Sequence, residues 1–126
     1  MNRSSHASTL GTLLVIAAIV GGVAAFTASA DPSKGDPAKG KAIFTTKCVA
    51  CHKPDGSGGV KLTGNPTPNW RDAKRMADPK YNDDYLRDCI TNGKTKSGMV
   101  AWGKTGQIKP NQIEDLIAYI RTFSKK

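Results

Sequence analysis

The sequence predicts an all-α fold in which a few helices are separated by long loops. Three observations carry that expectation. Ile113, Leu116, Ile117, Ile120 and Phe123 recur at helical spacing and form one apolar stripe. No segment alternates apolar and polar residues over a useful length, so strands are not expected. Lys53–Asn69 is aperiodic and rich in Gly, Pro and polar residues, and Gly93–Lys109 is a second loop that carries four glycines. Loops that long are unusual in a compact domain unless they wrap something.

The 126 residues begin with a segment that does not belong to that fold. Met1–Ala30 contains Arg3 and no acid, is uncharged from Ala7 to Ala30, and is densely apolar from Leu10 to Val20. Ala28-Ser29-Ala30 supplies the small-x-small pattern of a cleavage site, so residues 1–30 read as a secretory signal peptide. A retained anchor is the alternative, because the uncharged stretch approaches the roughly 20 apolar residues that cross a bilayer. Either way the domain at residues 31–126 is exported, into a periplasm or its equivalent. Arg3 is the one charge lost on cleavage, so the formal charge falls from +9 to +8. The 96 remaining residues are poor in large side chains and near the margin of independent stability. A large cofactor would complete such a core.

Asp31–Gly35 reads as a loose leader. The first helix is expected to start at Asp36 as N-cap, with Pro37 at the first helical position, and to run to about Lys47. A short helix is expected at Arg71–Met76. A longer one is expected at Asn82–Asn92, where Leu86 and Ile90 share a face and Gly93 suits the C′ position. The last helix is expected over Pro110–Phe123. Lys109 offers no capping hydroxyl, so its start is expected to fray.

The chemistry sits in Cys48-Val49-Ala50-Cys51-His52, which is C-x-x-C-H, the attachment sequence of a c-type haem. Two thiols at this spacing at the end of a helix can add to the two vinyl groups on one side of a porphyrin. The adjacent His52 is then held at the iron. Covalent attachment suits an exported protein, from which a dissociated haem would be lost. A redox dithiol would favour a βαβ neighbourhood, which is not visible. A structural zinc site needs four ligands, and Cys51 next to His52 is poor geometry for a tetrahedral ion shared with Cys48 and Cys89.

With that motif the chain resembles the class I c-type cytochromes, small exported monohaem electron carriers, from Gly35 to Phe123. Gly40 and Phe44 stand eight and four residues before Cys48, as in that family's N-terminal helix, and Leu116 and Tyr119 match its C-terminal L-x-x-Y pattern. The resemblance implies the class I cytochrome c fold around one haem. It also implies that the terminal helices cross nearly at right angles, the glycine allowing an aromatic to come close. Gly40 then has a task despite its helix cost of about 1 kcal/mol.

For the second axial ligand, the exported part holds no histidine besides His52, and lysine is normally protonated. Met76 and Met99 remain. Met76 lies in a polar helical segment and could be packing. Met99 lies in the second loop, matches the family's G-M-x-x-aromatic segment, and has Trp102 three residues on to shield it; Met99 is therefore preferred. Val100 follows where the family more often has proline, so the Met–iron bond is expected to be more labile. The resemblance also implies a loop proline carbonyl as acceptor for the His52 ring N–H, with Pro66 the candidate and Pro68 the alternative. Trp70 is expected to cover a haem edge, bind a propionate, or simply pack in the core. Simple packing is preferred for Tyr81 and Tyr85.

Lys47, Lys53, Lys61, Lys94, Lys96 and Lys104 lie in or beside the two loops, which carry almost no acids. They suit redox protein partners with an acidic docking face. Nucleic acid is not an expected partner, a membrane is one only if residues 1–30 are retained, and a monomer is expected. Cys89 is expected to be a small buried residue, an intermolecular disulfide being its alternative. The expected role is electron transfer and not catalysis. The alternatives are a membrane-anchored cytochrome, an electron-entry subunit of a larger complex, and a haem enzyme with an open iron site.

Overall fold

The computed structural model describes residues 34–125. The expected signal peptide lies outside the described residues, as do the first residues of the leader. Five α-helices follow in order: α1 (Pro37–Lys47), α2 (Val49–His52), α3 (Ala73–Ala77), α4 (Asp83–Asn92) and α5 (Pro110–Ile120). Short 3-10 turns lie at Pro79–Tyr81, Thr95–Ser97 and Phe123–Lys125. Extended pairing among the described residues is limited to an isolated bridge between Lys94 and Met99.

Helix starts follow local chemistry. Asp36 accepts from the Ala38 and Lys39 N–H groups, and Pro37 occupies the first turn, where a missing N–H costs no hydrogen bond. Asp72 caps α3 through the Arg75 N–H, which starts that helix two residues later than expected. Asn82 caps α4, and Gly93 ends it at φ 70°.

Two expectations need correction. The start of α5 is tied down: Gln112 Oε1 accepts the Lys109 N–H at 2.9 Å, one half of a capping box made from the third helical position. Gly35 is packed and not loose, since a Cβ there would stand 2.0 Å from the Glu114 carbonyl.

The core forms where α1 meets α5. At Gly40 a Cβ would fall 1.9 Å from the Asp115 carbonyl oxygen and 2.9 Å from Tyr119 Cβ, so the two backbones touch through the missing side chain. Phe44 packs edge-on against Tyr119 at 5.3 Å and lies 5.4 Å from Phe123. Phe44 and Leu116 are each 1% exposed, and Ile108, Ile113, Ile117 and Ile120 complete the cluster. Beyond Ile120 the chain leaves the α-helix and turns Phe123 into the core.

Arg121 joins the far ends of the fold. Its Nε donates to Asp83 Oδ1 at 2.7 Å, Nη1 to the Met76 carbonyl at 2.8 Å and Nη2 to the Tyr81 carbonyl at 2.6 Å. One side chain thereby satisfies carbonyls of α3 and the following turn and a carboxylate of α4.

Candidate functional site

Cys48 closes α1 and opens α2. Its N–H donates to the Phe44 carbonyl, and its own carbonyl accepts from His52 N–H, each at 2.9 Å. The four-residue helix therefore turns Cys48, Cys51 and His52 out of one bend. Lys53 leaves that bend at φ 60°, a left-handed conformation costly for a non-glycine residue.

The first loop folds back on the motif. Thr67 Oγ1 donates to the Cys51 carbonyl at 2.8 Å and accepts the Val60 N–H at 3.0 Å. The Trp70 N–H donates to the Gly56 carbonyl at 2.9 Å. Gly56, at φ 71°, lies under the Phe123 ring, with its would-be Cβ only 2.7 Å from that ring. Thr67 was not recognisable from sequence, because one threonine in a polar loop has no distinguishing spacing.

These elements enclose a cavity of about 800 Å³. Cys48, Cys51 and His52 form part of its wall, and Met99, Val100 and Trp102 enter from the second loop. Leu86, Cys89 and Ile90 of α4, with Leu116 and Ile120 of α5, make its apolar side. The two candidate methionines are separated: Met99 is on the cavity, whereas Met76 is 8% exposed and lines a smaller open cleft of about 440 Å³ with Asp78, Asn82 and Arg121.

His52 is buried and stacked on Trp70, ring centroids 4.2 Å apart and planes 13° from parallel. Burial pushes its pKa down to about 4, so the ring is neutral at ordinary pH, the form that binds a metal. Its Nδ1 is buried without a hydrogen-bond partner. Pro66 and Pro68, the expected acceptors of its ring N–H, both line the cavity, and the Pro68 carbonyl lies against Gly58, where a Cβ would be 2.1 Å away. Cys48 and Cys51 are not joined by a disulfide. The Cys48 pKa is pushed up to about 11, chiefly by burial, then by Cys51, and opposed by Lys47. A polar-tipped turn of two thiols and a neutral imidazole on an apolar cavity is a donor set that fits an iron porphyrin.

The rim of the cavity is cationic. Of the six loop lysines, Lys47, Lys94 and Lys96 line it, and Lys53, Lys61 and Lys104 do not. Lys47 Nζ lies 5.1 Å from the Trp102 ring centre. Arg75 and Lys80, which sequence reasoning passed over, also line it, Arg75 lying 3.8 Å over Tyr81. They arrive because the turn at Pro79–Tyr81 brings α3 back to the opening, a placement with no periodic signature. Tyr81 and Tyr85, expected only to pack, form an edge-on pair at 5.3 Å on the cavity wall. Cys89 is buried, as expected.

A family profile described as cytochrome C oxidase, cbb3-type, subunit III matches residues 35–120. Cytochrome c6 of Rippkaea orientalis is 36% identical over 86 residues, covering 68% of this chain and 69% of that protein. Cytochrome c6 of Limnospira maxima is 32% identical over 95 residues, covering 73% and 98%. The cbb3-type cytochrome c oxidase subunit FixP of Bradyrhizobium is 34% identical over 90 residues, which are 69% of this chain and 30% of that subunit. No solved structure gives a significant match.

Proposed function

The chain belongs to the class I c-type cytochromes, haem-binding electron carriers and not enzymes, and on that premise we propose that it is an exported monohaem carrier whose iron is held by His52 and Met99. The family binds haem c covalently, and Cys48, Cys51 and His52 fit its C-x-x-C-H motif. The observation that carries the ligand assignment is the cavity, which gathers His52 and Met99 and leaves Met76 outside.

A haem held there by Cys48, Cys51, His52 and Met99 would supply one-electron redox chemistry, and the soft neutral thioether of Met99 would favour the ferrous state. The chain's own residues set the conditions. Cys48 and Cys51 would hold the porphyrin, and Trp70 keeps the His52 ring in a fixed plane. Leu86, Ile90, Leu116 and Ile120 keep water away, which limits the reorganisation that accompanies a change of charge. Ligation by both His52 and Met99 would leave no position for a substrate, as an electron carrier requires. Lys47, Arg75, Lys80, Lys94 and Lys96 surround the opening and would steer an acidic partner to it.

Among the described residues no helix is long and apolar enough to cross a membrane. Residues 1–30 are proposed to be a cleaved signal, leaving residues 31–126 as one haem domain in the periplasm. N-terminal sequencing that starts at Asp31 supports this; a protein starting at Met1 in the membrane fraction supports an anchored form. The likeness to an oxidase subunit favours an oxidase as one acceptor.

The ligand test is an optical and redox titration of the purified holoprotein beside Met99→Ala. The reading requires a low-spin wild-type spectrum with the long-wavelength ferric band of a thioether ligand, and loss of that band with a lower potential in Met99→Ala. An unchanged band in Met99→Ala, or its loss in Met76→Leu alone, overturns the assignment.

A further inference from the structure

We propose that the first loop latches the Met99 loop, and that Thr63 is the positioning residue that limits how readily Met99 leaves the iron. The inference rests on Met99 being the second axial ligand. Thr63 Oγ1 donates to the Lys96 carbonyl at 3.0 Å, joining residues 33 positions apart. Among the described hydrogen bonds it is the one that links the two loops. On one side of it Leu62 packs against Gly98, where a Cβ would stand 3.1 Å from Leu62 Cβ and Cδ1. On the other side Gly64 meets Ser97, whose Oγ would be 2.9 Å from a Cβ. Residues 62–64 thus run along 96–98, the three residues that lead into Met99.

The Met99 loop has internal order of its own. The Met99 N–H donates to the Lys94 carbonyl and the Lys94 N–H to the Met99 carbonyl, both at 3.1 Å. That pair closes residues 94–99 over the turn at Thr95–Ser97. Its anchors to the body lie at one end, where the Gly93 N–H meets the Cys89 carbonyl and the Gly103 N–H meets the Ile90 carbonyl. A closed loop hinged on α4 can swing as a unit and take Met99 with it. Val100 lacks the fixed φ of a proline and is 43% exposed, so it adds little restraint after the ligand. The Thr63 bond and the Leu62 contact act at the loop's outer end, where a swing has most leverage.

The test mixes ferric holoprotein with saturating imidazole in a stopped-flow instrument, so that the observed rate reports departure of Met99. Thr63→Val is expected to raise that rate about two- to tenfold, the factor that loss of one hydrogen bond represents. Thr63→Ser should restore the wild-type rate, and all three proteins should show the thioether band at rest. Asn82→Ala, which removes the cap of α4 outside the cavity, should leave the rate unchanged. A wild-type rate in Thr63→Val, or an equal acceleration in Asn82→Ala, overturns the latch while leaving the ligand assignment standing. A thioether band that survives Met99→Ala overturns both. Should Thr63→Val give no holoprotein, Leu62→Ala reads the same rate by the same criteria.

Discussion

Gly40→Ala separates two opposing physical effects by their sign. In a helix taken alone, Ala is favoured over Gly by about 1 kcal/mol, so the substitution should stabilise. In this fold the added methyl meets the Asp115 carbonyl oxygen at 1.9 Å, and α1 and α5 must part by about 1.5 Å to regain ordinary contact. A gap of that order forfeits a large share of the dispersion energy between Phe44, Tyr119 and Leu116. Overpacking in a close-packed core costs roughly 1–3 kcal/mol. The upper end applies here because the obstacle is backbone and not a side chain that can rotate away. The net loss is about 2 kcal/mol, which for a domain of this size lowers Tm by about 8–16 °C. Thermal unfolding of ferric holoprotein by circular dichroism measures it. Lys41→Ala, on the exposed side of the same helix, should stay within about 0.5 kcal/mol of wild type. A Gly40→Ala protein as stable as wild type, or more so, would refute the close crossing.

Arg121→Met should lower stability by about 2–3 kcal/mol in urea titration, because it removes charge-assisted bonds to the Met76 and Tyr81 carbonyls and Asp83; a loss under 0.5 kcal/mol would contradict that role. Thr67→Val should cost about 1–2 kcal/mol and Thr67→Ser much less, since the hydroxyl serves both the Cys51 carbonyl and the Val60 N–H; equal losses would show that the methyl matters instead. The Asp88 carboxyl is held below its ordinary range by hydrogen bonds from Asn92 and then Lys94. Its folded pKa is depressed, so its contribution to stability is present above the unfolded value of about 3.9 and fades as pH falls through the folded value. An NMR titration of Asp88 with a midpoint at or above the unfolded value would reject this.

Much of the fold was legible because its signals are local. Asp36-Pro37 begins α1, the apolar stripe of Ile113, Leu116, Ile117 and Ile120 marks α5, and Gly93 ends α4; each depends on neighbours within a few residues. Where distant parts act on a segment the reading failed. The α-helix α5 stops at Ile120 although the apolar pattern runs on to Phe123, whose ring packs on Phe44 from α1. The stacking of Trp70 on the His52 ring likewise joins residues 18 positions apart, and no spacing announces it.

The sequence by itself determined the chemistry at this site, because C-x-x-C-H places two thiols and an imidazole on one helical turn whatever surrounds it. The tertiary structure decided which methionine reaches the cavity, which lysines stand at its mouth, and that Thr63 meets Lys96. Those outcomes depend on how two loops with no periodicity close on each other. Loop closure is governed by contacts between residues tens of positions apart, and spacing along the chain holds no record of them.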